Sequence, residues 1–147
     1  MNAYTKLKKR HQDEFNAFPM FFAFTNESFE RGMAELGLSP VDTDKILKLG
    51  GMGGFMRKSD ETAFDEMTIR HECERAEAIQ NDKTGSGYIF DMFRYELANY
   101  EYGYTHSLSD TLEALGLTYD QVKSNPRLKR GLEKAHRRFY DYPFEWL

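Results

Sequence analysis

The chain has 147 residues, with 20 Lys and Arg against 24 Asp and Glu and a formal net charge of −4. That length fits one domain able to bury a core, and 40% hydrophobic with 30% charged residues excludes collagen-like and low-complexity chains and argues against full disorder. Two Val and four Ile beside twelve Phe and nine Tyr argue against a sandwich or barrel, since β-branched residues suit a pleated surface.

A single cysteine, Cys73, excludes an intrachain disulfide and any Cys-rich zinc module. The longest apolar run, residues 18–24, is too short to span a membrane. No secretory apolar region follows the basic start, so the expectation is a soluble, cytoplasmic protein with no membrane partner.

Residues 3–15 read as a polar helix. Phe18, Met20, Phe22 and Phe24 then recur at period two, a strand pattern that Pro19 confines to an edge or a strand start. Thr25 or Asn26 caps the next helix, with Glu27 and Glu30 at its positive end. Phe29, Met33 and Leu36 form its buried stripe, and Gly37 ends it in the left-handed conformation. Two apolar runs, Ile46-Leu47-Lys48-Leu49 and Phe55-Met56, flank the glycine-rich residues 50–54 and read as a hairpin. With residues 18–24 they make a small three-stranded sheet.

Ser59 or Asp60 caps a long helix over residues 60–81. Phe64, Met67, Ile69, Cys73, Ala76 and Ile79 are its expected apolar positions. A turn over residues 81–87 leads to a helix over 88–101, with Phe90, Phe93, Leu97 and Tyr100 on one face. Ser107 with Asp110 reads as a capping box for a helix ending at Gly116, and Leu108, Leu112 and Leu115 face inward. Pro126 opens the last helix, on Leu128, Leu132 and Ala135. Tyr140, Tyr142, Phe144 and Trp146 recur at period two in a tail expected to dock, on its own domain or across a homodimer interface. The expected fold is α+β: one predominantly helical domain over residues 1–147 with a small antiparallel sheet near the N-terminus.

Charge is unevenly placed. Residues 59–102 carry four basic and eleven acidic side chains, while the segments on either side are slightly basic. An acidic field repels phosphate backbones and attracts basic protein surfaces. Two basic clusters remain, at Lys6, Lys8, Lys9 and Arg10, and along residues 127–138. Either could touch nucleic acid; spaced this way, such charges also solvate a helix face.

No motif reaches a defensible catalytic constellation. Asp82-Lys83-Thr84-Gly85-Ser86-Gly87-Tyr88-Ile89 resembles the start of an EF-hand loop. Positions 3 and 5 are the neutral Thr84 and Ser86, and Phe93 stands where the bidentate Glu belongs, so weak or absent calcium binding is expected. A tight Asx-type turn is the better reading. The glycines at 50–54 lack a following Gly-Lys-Ser/Thr and the third glycine of a dinucleotide fingerprint. His71-Glu72-Cys73-Glu74-Arg75 is not His-Glu-x-x-His, because Arg75 replaces the second histidine. Residues 112–132 have a helix-turn-helix flavour, but Pro126 cuts the second helix short. No cofactor, no metal and no catalytic residue is assigned.

Several blocks resemble a family of small uncharacterised proteins of phages and mobile elements of gut-type bacteria. They are residues 14–24, Asp42-Thr43-Asp44-Lys45-Ile46, the glycine loop into Phe55, Asp82-Lys83-Thr84-Gly85 and Asp91-Met92-Phe93-Arg94-Tyr95-Glu96-Leu97. The resemblance implies an accessory or counter-defence protein that acts by binding, and transfers no catalytic residue.

The expected function is therefore non-enzymatic binding of a host or element-encoded protein through the acidic segment, with Asp60, Glu61, Asp65 and Glu66 as partner-binding residues in a monomer or homodimer. A DNA- or RNA-binding regulator using the basic C-terminal helix is one alternative. A metal-dependent enzyme built on Asp82, His71 and neighbouring glutamates is another.

Overall fold

Local chemistry sets the helix ends in the computed structural model, which describes residues 1–147. Thr25 accepts from the Ser28 N–H while the Ser28 hydroxyl accepts from the Thr25 N–H, a reciprocal cap on α2 (Asn26–Glu35). Gly37, at φ +75°, turns the chain out of that helix, and the Leu38 N–H closes back on the Met33 carbonyl at 2.8 Å. The other helices are α1 (Ala3–Ala17), α3 (Glu61–Asn81), α4 (Tyr88–Asn99), α5 (Tyr102–Thr105), α6 (Ser109–Leu115), α7 (Tyr119–Ser124) and α8 (Pro126–His136). None is long and apolar enough to cross a membrane. The architecture is α+β, helix-dominated, with the small antiparallel sheet near the N-terminus. By its contacts the chain divides into two compact units, His11–Cys73 and Met1–Arg10 with Glu74–Leu147.

The unit His11–Cys73 holds the sheet. Strands β1 (Met20–Phe22), β2 (Ile46–Leu49) and β3 (Gly54–Arg57) lie in the order β1-β3-β2, all antiparallel, with Phe21 opposite Phe55 and Lys48 opposite Phe55. The period-two reading of residues 18–24 places a strand there, and its buried residue is one the repeat skips. Phe21, the residue between the repeated positions, enters the core with Met33 and Leu36, while Phe22 and Phe24 are exposed. The reason is Gly32 on α2: a Cβ there would fall inside the Phe21 ring, so the bare backbone of the helix receives that side chain.

The second unit packs α4 and α8 around Ile89, Met92, Phe93, Leu97, Leu128, Leu132 and Ala135. The buried side of α4 is set by these residues together with Tyr88 and Glu96. Tyr100, expected on that face, instead ends the helix and is exposed. Glu96 is buried yet satisfied: it accepts from the Tyr4 hydroxyl, the Lys8 ammonium at 3.1 Å and the Asn99 amide at 3.3 Å. Ser107 does not cap α6. Its hydroxyl meets that of Ser109, and α6 starts without a side-chain cap. Thr118 with Gln121 forms the capping box of α7, and Asn125 accepts from the N–H groups of Arg127 and Leu128 behind Pro126.

The turn after α3 is the Asx-type one. The Asp82 carboxylate accepts from the backbone N–H groups of Thr84, Gly85, Gly87 and Ile89. One Arg127 nitrogen donates to the carbonyls of Ile79, Gln80 and Asp82, at 2.8–3.0 Å. Gly85 sits at φ +81°, and a Cβ there would overlap the Arg127 carbonyl.

The aromatic tail docks within this same unit. Phe139, Tyr140, Phe144 and Trp146 pack against its core. Tyr140 donates to the Tyr102 carbonyl, Trp146 to Glu133, and the Leu147 N–H to the Tyr119 hydroxyl.

Two stability predictions follow from this packing. Gly37→Ala, strained but with open space around it, should cost about 1 kcal/mol. Gly85→Ala adds a backbone overlap to the same strain and should cost at least about 2 kcal/mol; urea unfolding of the two variants side by side measures the difference. Deleting residues 140–147 should remove at least about 2 kcal/mol, since each buried ring contributes about 1.5–3 kcal/mol. Thermal melts read that loss, and light scattering should show an unchanged oligomeric state.

Candidate functional site

At 100° per residue, helix α3 brings Glu61, Thr62, Asp65, Glu66, Ile69, Glu72 and Cys73 onto one side, and every one of them is exposed. The opposite side carries Phe64, Met67 and His71, of which Met67 and His71 are buried. Ile69, Cys73 and Ala76, read from the sequence as core positions, therefore belong to the solvent side. Ile69 is 58% exposed, an apolar side chain in a setting of carboxylates. Glu61, Asp65, Glu66 and Glu72 take part in no ion pair. Asp60 differs from the other three residues named with it. It is half-buried and accepts from the Arg57 Nε at 2.8 Å, so it fastens the end of β3 to the start of α3.

Along the inner side of the same helix, His71 stacks on His11 with ring centroids 3.9 Å apart. The His71 Nε2 lies 3.2 Å from Glu14, and Arg70 holds the same carboxylate through two contacts. The Arg70 guanidinium, then His71, hold the Glu14 carboxyl down at about 2, and Glu14 in turn raises Arg70.

The other sequence candidates resolve into local structure. Burial works against ionising Asp82, but the backbone N–H groups around it outweigh that and keep its pKa below the ordinary value. Its oxygens are thus already occupied by the turn. No group of three or more His, Cys, Asp or Glu is arranged to hold a metal ion. Glu96 is engaged with Tyr4 and Lys8. Gly50, Gly51 and Gly53 lie in the β2–β3 connection and Gly54 opens β3, with the Gly53 carbonyl accepting from the Ala23 N–H at 2.9 Å.

The basic residues of α8 and its end are mostly engaged within their own unit. Arg127 binds the end of α3, and Arg130 donates to the Thr84 carbonyl. Lys129 lies over Trp146, while Lys134 and Arg138 lie over Phe90. At the N-terminus Lys8 is paired with Glu96 and Arg10 with Glu74.

The exposed face of α3 was half legible. Its carboxylates stand out in the charge distribution, but Ile69 looks like core until the helix is placed.

The Glu14 cluster generates a pH prediction. A carboxyl whose folded pKa is depressed from 4.5 to about 2 contributes stability above about pH 4.5 and loses it as pH falls toward 2. Glu14→Gln should flatten the decline of Tm between about pH 5 and pH 2.5, measured by thermal melts across that window.

A family model described as a family of unknown function (DUF7659) matches residues 3–138. No curated protein and no solved structure matches the chain.

Proposed function

The chain belongs to this family of unknown function, and on that footing we propose that it is a non-enzymatic interaction protein whose α3 face binds a basic segment of a partner protein. The observation that carries the reading is Ile69, exposed among Glu61, Asp65, Glu66 and Glu72, none of which has an ion-pair partner. Unpaired carboxylates attract a Lys- or Arg-rich chain over a Debye length of about 8–10 Å. An exposed aliphatic side chain at their centre gives that chain an apolar anchor, the pattern of a hot spot inside a polar rim. The fitting partner is a basic amphipathic segment with an apolar residue between its cations.

The setting proposed is that of an accessory or counter-defence protein of a phage or mobile element, acting in the cytoplasm on a host or element-encoded protein. The alternative of a DNA- or RNA-binding regulator draws less support. The C-terminal helix is basic, but its cations are largely engaged with carbonyls and rings of their own unit.

Capture from lysate with the wild-type chain and an Asp65→Lys, Glu66→Lys variant tests the reading. The variant should lose at least about tenfold in capture, while each exposed charge change shifts stability by no more than about 0.5 kcal/mol. Ile69→Ala should weaken capture without removing the salt dependence, which reports the carboxylates. Equal capture by all three proteins overturns the proposal.

A further inference from the structure

The unit Met1–Arg10 with Glu74–Leu147 carries a pocket of about 360 Å³ that is open to solvent. Its walls are mostly aromatic: Tyr102, Tyr119, Tyr142 and Phe144 line it with His106 and His136, and Leu108 adds an aliphatic side chain. Glu145 lines it too and is its one acidic residue; no Lys or Arg does.

The wall is held in a defined state. The Tyr142 carbonyl can only accept, so the His136 Nε2 donates to it at 2.9 Å. The Tyr102 hydroxyl then donates to the His136 Nδ1 at 2.7 Å. Burial lowers the pKa of His136 and pushes the Tyr102 hydroxyl up to about 12, so the pair stays neutral and correctly polarised near pH 7. Glu101 and His106, on either side of α5, both adopt the left-handed conformation, at φ 58° and φ 57°. Non-glycine residues in that region are strained, and such residues concentrate at binding sites.

Ring faces are the negative ends of aromatic quadrupoles, and a carboxylate adds a full negative charge at the rim. An anion would find no Lys or Arg in this wall to pair with. We infer that this cavity binds a small alkylammonium cation, its methyl groups against the rings and its charge shared between them and Glu145. This goes beyond the partner-binding reading and does not depend on it.

The probe is choline, with its neutral isostere 3,3-dimethylbutan-1-ol as control. The single Trp of the chain, Trp146, packs on Phe144 with ring centroids 4.5 Å apart, so its emission reports the cavity wall. Choline should give a saturable change in Trp146 emission and a matching calorimetric isotherm. The isostere should bind at least about tenfold more weakly, because it lacks the charge. Glu145→Gln, at an exposed position, should weaken choline about tenfold without changing Tm; Tyr142→Ala should also weaken choline about tenfold by removing one wall, with a lower Tm because its ring packs on His136 and Tyr140. No saturable choline binding overturns the inference, as does equal affinity for choline and its isostere, or unchanged affinity in a folded Glu145→Gln variant.

Discussion

Two side chains with opposite tasks meet at the turn between α3 and α4, and much of the larger unit is arranged around them. Asp82 gathers backbone donors of the turn and of the start of α4, and Arg127 gathers carbonyls left over at the end of α3. A helix leaves such groups at each end, and burying them unpaired is costly. Arg127 stands in the first turn of α8, so satisfying the end of α3 also fixes where α8 starts. The two glycines nearby complete the fit. Gly85 lets the turn touch the Arg127 carbonyl, and Gly131 lets α8 lie against Ile89. From that fixed start, α8 places His136 beside Tyr102 and forms one wall of the aromatic cavity.

The protein treats its two signs of charge differently. Cations near the N-terminus and on α8 are largely turned to internal work, as ion pairs, carbonyl clamps and lids over rings. Several carboxylates along α3 are left to solvent. A net charge of −4 therefore understates the negative surface a partner meets, because part of the balancing positive charge is already engaged.

What the sequence reveals depends on the range of the signal. Thr25, Gly37, Gly116 and Pro126 act within a few residues, and each marks a helix end in the structure. The Asx character of Asp82 is equally local and equally readable. Which side of an element is buried is not local. Phe21 rather than Phe22 enters the core because Gly32, eleven residues away, leaves room for a ring. Ile69 keeps helical spacing with true core residues, yet the neighbours that would cover it are absent from that side of α3. The aromatic cavity draws on α5, the start of α7, the end of α8 and the tail, so no single stretch announces it. Only the repeat of tail aromatics hinted at it, as a need for docking.

The meeting of Phe21 with Gly32 has a consequence for how this sequence can change. The two residues share one volume: the ring occupies the space where a side chain on α2 would stand. Position 32 can gain even a methyl group only where position 21 gives up its ring or moves it. Substitutions at the two sites are therefore bound together, and divergence at one should be matched by divergence at the other. A pair that is silent in any single sequence becomes a correlated signature once many are aligned, and it would identify the contact between α2 and β1 without any coordinates.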